Sequence, residues 1–232
     1  MKVTGIIGAM DIEVAGLKQD MQIVREVKKA GMEFCEGILE GQRVVVVQSG
    51  IGKVNAAVCT QILIDEFGAD AVINTGIAGS LNAQIDIGDI VISTDVVHHD
   101  MDAVQFGYEP GQIPQMDVFS FAADESLADL AERVCQEVNP EISVFRGRIV
   151  SGDQFVADRE KKTYIAEQFH GFCTEMEGAA IAQASYLNQV PFVIIRAISD
   201  KADDSASEDY PTFEKKAAAH CIRLVEGLLA RL

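Results

Sequence analysis

The chain has 232 residues, 48% of them hydrophobic, and a formal net charge of −17. That length and composition suit one large α/β unit with a sizeable core, and so acidic a balance without a Lys/Arg cluster argues against nucleic acid or an anionic membrane as partner. Five cysteines at 35, 59, 135, 173 and 221, with no C-x-x-C pair, read as reduced core thiols and not as a disulfide frame or zinc site. The N-terminus lacks a secretory signal pattern and no apolar run is long enough to span a bilayer, so a soluble cytoplasmic protein is expected.

Residues 3–10 (VTGIIGAM) predict a buried strand ending in small residues, then a helix with Asp11 and Glu13 in its first turn. Both acids complement the helix dipole. Glu13 also fits a ligand crevice, because open α/β sheets bind beyond the carboxyl ends of their strands. A hairpin over 33–40 and 43–49 turns at Glu40-Gly41-Gln42. Next comes Ser49-Gly50-Ile51-Gly52-Lys53, whose glycines allow close backbone approach, and a helix to about Phe67; P-loop spacing is absent. Residues 70–79 repeat the scheme, a buried strand delivering Thr75-Gly76-Ile77-Ala78-Gly79, and 88–94 adds another strand. Three strand ends carrying small residues point to one shared crevice.

His98-His99-Asp100 and Asp102 have the composition of a metal cluster, but adjacent side chains on an extended strand face opposite ways, which argues against one. The Gly/Pro/aromatic segment at 106–111 reads as a functional loop or a subunit contact. Residues 124–138 predict a helix and 142–150 a strand ending in Ser151-Gly152-Asp153-Gln154-Phe155-Val156, where Phe155 suits either a core or a stacking face for a planar ligand. A helix from about Asp158 to Phe169 leads into 174–200. There Glu175-Met176-Glu177 opens an Ala-rich helix, and a buried strand over 191–199 delivers Asp200. Apolar surroundings would raise the Asp200 pKa, as a general acid working near neutrality needs; alone, it would equally suit an N-cap or turn. KADDSASED at 201–209 reads as a mobile loop and 210–232 as a closing amphipathic helix that packs Phe213, Leu224 and Leu228.

Taken in order, IIGAM-x-x-E at 6–13, SGIGK at 49–53, NTGIAG at 74–79, HHDMDAVQFGY at 98–108, SGDQF at 151–155, EMEGAAIA at 175–182 and RAISD at 196–200 resemble one family over nearly the whole chain. That family is the bacterial 5′-methylthioadenosine/S-adenosylhomocysteine nucleosidases, within the purine nucleoside phosphorylase and uridine phosphorylase superfamily. The resemblance implies a single three-layer α/β/α domain over 1–232 with a central mixed sheet. It also implies a homodimer and hydrolysis of the N-glycosidic bond of 5′-thio-substituted adenosines to adenine and a thioribose, in methionine salvage. No metal or organic cofactor is implied.

By the same resemblance Asp200 is the general acid at adenine N7, oriented by Ser199, and Glu13 is the base that activates water from the opposite face, the logic of inverting glycoside hydrolysis. Glu177 would hold the ribose hydroxyls, Met176 would pack on the sugar, Phe155 would stack on adenine, and Val156 would offer its backbone to the purine edge; Gly79 belongs to the same binding surface. Ile51, Tyr210 and Phe213 match the apolar slot for the alkylthio end, with Ala103, Phe106 and Pro114 expected from the partner subunit. Relatives often carry a hydroxyl residue where this chain has Ile77 and an aromatic without a hydroxyl where it has Tyr210. A phosphorylase on the same fold would need arginines at the first strand's loop and near the T-G turn, where this chain has Gly8-Ala9-Met10 and Asn74. Cleavage of 6-amino-6-deoxyfutalosine is the remaining hydrolytic alternative.

Overall fold

The computed structural model describes residues 2–203 and 205–232. Its first strand, β1 (Thr4–Gly8), is buried on both faces, as expected of a run reading TGIIG in the middle of a sheet. It lies between β4 (Gln42–Gln48) and β5 (Ala71–Ser80), parallel to both. Parallel strands continue to β10 (Phe192–Asp200), which pairs with β5 from Phe192 to Asp200. The sheet is mixed: β10 also runs antiparallel to β6 (Ile90–His98), which pairs antiparallel with the two-residue β7 (Phe121–Ala122) and parallel with β8 (Val144–Ser151), and β8 runs parallel to the short β9 (Cys173–Glu175), which returns antiparallel to β5. Five strands, β5, β10, β6, β8 and β9, therefore close on themselves and hold their ends together.

Helices cover both faces. α1 (Asp11–Asp20), α3 (Glu125–Val138) and α6 (Ala206–Leu229) pack Val14, Leu17, Leu127, Val134, Leu224 and Leu228 against one side of the sheet. α2 (Lys53–Phe67) and α5 (Gly178–Leu187) pack Cys59, Leu63, Phe67 and Ile181 against the other. Each large apolar side chain so buried contributes about 1.5–3 kcal/mol. α4 (Arg159–Phe169) seats Ile165 and Phe169 in a smaller cluster with Val97 and Val150. The three-layer α/β/α arrangement with a mixed central sheet is the one expected. All five cysteines are buried and free, and among the described residues no helix is long and apolar enough to cross a membrane.

Three elements depart from the sequence reading. β2 (Gln22–Lys29) is an additional edge strand against β3 (Met32–Leu39); almost all of it is exposed, so it lacks the apolar run or alternation that betrays a strand. The hairpin of β3 with β4 turns as expected, with Glu40 and Gly41 both at positive φ, the two-residue geometry that matches strand twist. β9 has only three residues, too few to show a period. α6 begins at Ala206, four residues before the expected start, and carries Pro211 inside it, so the polar stretch expected as a loop over 201–209 is half helix.

Candidate active site

Four strand ends and the N-termini of α1 and α5 meet around a cavity of about 490 Å³. Its floor is made of strand-end residues: Ala9 and Met10 after β1, Ile77, Ala78 and Gly79 on β5, Thr174 and Glu175 on β9, and Ser199 and Asp200 on β10. Glu13, Met176 and Glu177 complete the polar side, while Ile51, Phe155, Val156 and Tyr210 form the apolar mouth. Ten of the eleven sequence-predicted residues of this chain, from Glu13 and Ile51 to Asp200 and Tyr210, thus converge on one cavity. Phe213 does not: it lines a separate cavity with Asp86, Ile87, Gly88 and Lys201. The expectation that it lines the alkylthio slot is corrected accordingly. Three residues after Tyr210 on one helix, its ring is displaced around the axis toward the β5–β6 connection.

Glu13 is the third residue of α1 and reaches back to the helix start, as a glutamate at that position does in a capping box. Its Oε2 accepts the N–H groups of Ala9 at 2.7 Å and Met10 at 2.9 Å, and its Oε1 accepts that of Ile77 at 3.0 Å. Both readings of this residue hold together: it caps the helix and faces the cavity. A Cβ on Gly76 would stand 2.6 Å from Glu13 Oε1, so the glycine makes room for the carboxylate. Burial raises the Glu13 pKa, against the nearby Arg196 and the three backbone donors, a direction that suits a base poised to take a proton.

Asp200 ends β10 and is 2% exposed. Its Oδ1 accepts the Ala202 N–H at 2.8 Å and its Oδ2 accepts the Ser199 hydroxyl at 2.9 Å. Burial lifts its pKa above the ordinary aspartate range in spite of these donors, with Asp209 and Asp203 adding like charge. A Cβ on Gly79 would lie 2.7 Å from Asp200 Oδ1, so this glycine, too, clears space for an acid. Glu13 and Asp200 therefore meet β5 at Gly76 and Gly79, three residues apart, roughly 10 Å along a strand. That spacing leaves room for a sugar and its base between the two carboxyls.

Glu177 is held by the Gly52 N–H, which donates to its Oε1 at 2.8 Å; Gly52 sits at φ 99, a conformation that glycine adopts without strain. Burial and the neighbouring Glu175 push the Glu177 carboxyl up to about 7, against the pull of Arg196. Glu175 goes the other way: burial alone would raise it, but Arg196, the Ser151 hydroxyl and the Gly178 N–H hold it below the usual glutamate range. Around the mouth, Phe155 is 53% exposed and meets Tyr210 edge-on with ring centroids 5.8 Å apart, leaving an open aromatic face. The Tyr210 hydroxyl donates to Met10 Sδ at 3.2 Å. The loops carrying Gly52 and Phe155 are tied together: Asp153 Oδ1 accepts the Lys53 N–H at 2.8 Å, and Asp100 takes the Lys53 ammonium at 2.6 Å and the Asp153 N–H at 2.9 Å.

His98 and His99 diverge, as adjacent strand residues should. His98 Nε2 lies 3.0 Å from Gln183 Oε1, whereas the His99 ring tilts against Phe169. Of the residues expected from a partner subunit, Phe106 is 84% exposed on a single 3₁₀ turn (Val104–Phe106), Pro114 is half-buried, and Ala103 is buried within this chain.

A family model of the Phosphorylase superfamily matches residues 3–230. The chain belongs to that superfamily. A 5′-methylthioadenosine/S-adenosylhomocysteine nucleosidase of Staphylococcus aureus (strain JH9) is 45% identical over 230 residues, covering 98% of this chain and 99% of that protein. The crystal structure of a Neisseria meningitidis nucleosidase of the same description, in complex with methylthio-immucillin-A, superposes with a TM-score of 0.96 at 43% identity over 100% of both chains. The native structure of a Helicobacter pylori futalosine hydrolase has a TM-score of 0.94 at 32% identity, covering 100% of this chain and 98% of that one. Superfamily membership fits the fold and the cavity alike.

Sequence reasoning missed the group beneath the cavity. Arg196 is 1% exposed in the middle of β10; its Nη2 meets Glu175 Oε2 and Asn74 Oδ1, while Asn74 Nδ2 donates to the Ile7 carbonyl at 2.8 Å. The signal was present. An arginine inside FVIIRAIS has to find a buried carboxylate, since an unpaired buried charge is prohibitively costly, and Glu175 was the candidate left without a firm role.

Proposed function

We propose that this protein is a nucleosidase that hydrolyses the N-glycosidic bond of 5′-methylthioadenosine and S-adenosylhomocysteine, giving adenine and the corresponding thioribose. The observation that carries the reading is the pair of buried carboxyls, Glu13 and Asp200, set against β5 three residues apart, with Glu177 and the aromatic face of Phe155 lining the same cavity. Cleavage leaves positive charge developing on the ribose and negative charge on the base. Asp200, whose pKa burial raises, gives its proton to the purine N7; the Ser199 hydroxyl holds its orientation. Glu13 takes a proton from water on the other face of the sugar. Glu177 accepts the ribose hydroxyls and offsets the oxocarbenium-like charge. Phe155 stacks on the adenine, Val156 presents its backbone to the purine edge, and Met176 lies on the sugar.

Hydrolysis is favoured over phosphorolysis by the cavity's chemistry. Among the described residues no lysine or arginine lines it, and Arg196 beneath it is already engaged by Glu175 and Asn74. Glu13 would repel a phosphate. The likeness to a futalosine hydrolase supports a substrate range that extends to 6-amino-6-deoxyfutalosine, whose adenine and ribose present the same groups. The open mouth and the exposed Phe106 support closure by a second copy of the chain, with Phe106, Pro114 and the region of Ala103 meeting the partner's cavity. The acidic charge and cysteine usage support a cytoplasmic enzyme.

The test is adenine release from 5′-methylthioadenosine in phosphate-free buffer, repeated with phosphate added. Equal release in both, with free methylthioribose as co-product, is expected; release that requires phosphate would reject hydrolysis.

A further inference from the structure

Ser151, the last residue of β8, is fully buried and does not line the cavity. Its oxygen accepts the Ala179 N–H at 2.7 Å, which leaves its single proton for Glu175 Oε1, its other contact. Glu175 Oε2 in turn accepts the N–H groups of Gly178 at 2.7 Å and Glu177 at 3.2 Å, besides the Arg196 guanidinium. The first amides of α5 are thus held by two side chains from neighbouring strand ends, which β8 and β9 bring into register. Glu177, at the N-cap of α5, makes no side-chain cap of its own; its carboxylate reaches the Gly52 loop and the cavity, with Arg196 Nη2 3.8 Å from its Oε2.

We propose that Ser151 is a positioning residue for the glycosidic cleavage: by fixing one oxygen of Glu175 it sets the orientation of Glu177 toward the ribose hydroxyls, an inference that rests on the function proposed above. Ser151 touches no substrate. A hydroxyl bonded to a buried carboxylate is a strong contact, and removing it leaves Glu175 Oε1 without its donor. Glu175 then turns or rocks, and its bond to the Glu177 N–H goes with it. The purine end, built from Phe155, Val156 and Asp200, has no part in this chain of contacts.

The experiment is a double-mutant cycle with 5′-methylthioadenosine in phosphate-free buffer, using Ser151→Ala, Glu177→Gln and both together, with adenine affinity measured by calorimetry on the same preparations. Ser151→Ala is expected to lower kcat/KM about tenfold while leaving adenine affinity within about twofold. In the Glu177→Gln background the same change is expected to cost less than about twofold, because the coupling runs through Glu177. Ser151→Thr, which keeps the hydroxyl, is expected to recover most of the loss. If Ser151→Ala does not fold, Ser151→Cys, a weaker donor, takes its place in the cycle. An equal loss in both backgrounds, or a parallel loss of adenine affinity, overturns the proposal and leaves Ser151 as a helix cap only. Wild-type release in the same buffer reports separately on the proposed function: no release would reject that reading, whereas an active wild type matched by Ser151→Ala would reject the positioning role alone.

Discussion

The floor and the mouth of the cavity are built on opposite plans. On the floor Glu13, Glu175, Glu177 and Asp200 are buried, and every one of them accepts hydrogen bonds from backbone amides or from a neighbouring hydroxyl. At the mouth Ile51 and Phe155 are half exposed, and the Tyr210 hydroxyl donates to a thioether sulfur. Under the proposed function the difference separates two tasks. Proton transfer needs groups held to within a fraction of an ångström, which strand ends and buried networks provide; accepting a 5′ substituent needs apolar area that adapts. A second contrast lies within the floor: Arg196 holds Glu175 below the usual glutamate range, while burial pushes Asp200 toward its neutral form. Under the proposed function, environment alone divides the two carboxyls, one for structure and the other for acid chemistry.

Floor substitutions are expected to act on turnover and mouth substitutions on binding. The largest effect belongs to Asp200→Asn, which removes the proton and is expected to lower kcat on 5′-methylthioadenosine about 10³-fold or more with substrate affinity kept, as single-turnover rates and titration will read. Glu13→Gln keeps the caps on Ala9 and Met10 but not the base; a kcat loss of about 10²-fold is expected, and retention of more than half the activity would remove it from water activation. Phe155→Ala is expected to weaken adenine binding about tenfold with kcat changed far less. An unchanged adenine Kd would contradict stacking and erase the contrast between mouth and floor.

The smallest expected effect concerns stability. Glu177 titrates near 7 in the folded chain against 4.5 for an ordinary glutamate, chiefly through burial and Glu175. A folded pKa raised in this way gives a contribution that is complete below pH 4.5 and is lost as pH rises through about 7. Glu177→Gln, neutral at every pH, is therefore expected to melt about 5 °C above the wild type at pH 8 and at the same temperature near pH 4.5. A gap independent of pH would mean that charge on Glu177 is not what strains the floor.

Much of this was legible in the sequence for a physical reason. β1, β5 and β10 are buried on both faces, so they read as continuous apolar runs, and each breaks into small or acidic residues where the cavity begins. β2 was not legible, because a strand wet on both sides carries no pattern. Phe213 and Tyr210 share a helix and lie three positions apart, and only packing decides that one faces the cavity and the other the Asp86–Gly88 corner. The Ser151, Glu175, Asn74 and Arg196 group brings together residues from four strands, and its members became a unit only through the sheet order.

The most direct test of the division of labour asks whether Asp200 is needed only to protonate the base. Asp200→Asn should be assayed on 5′-methylthioadenosine and on the 4-nitrophenyl riboside of 5-methylthioribose, whose leaving group departs without a proton. Loss of activity on the nucleoside with near wild-type rates on the aryl riboside is the expected result. An equal loss on both substrates would contradict the account, since Asp200 would then be serving the sugar or the fold and not the purine.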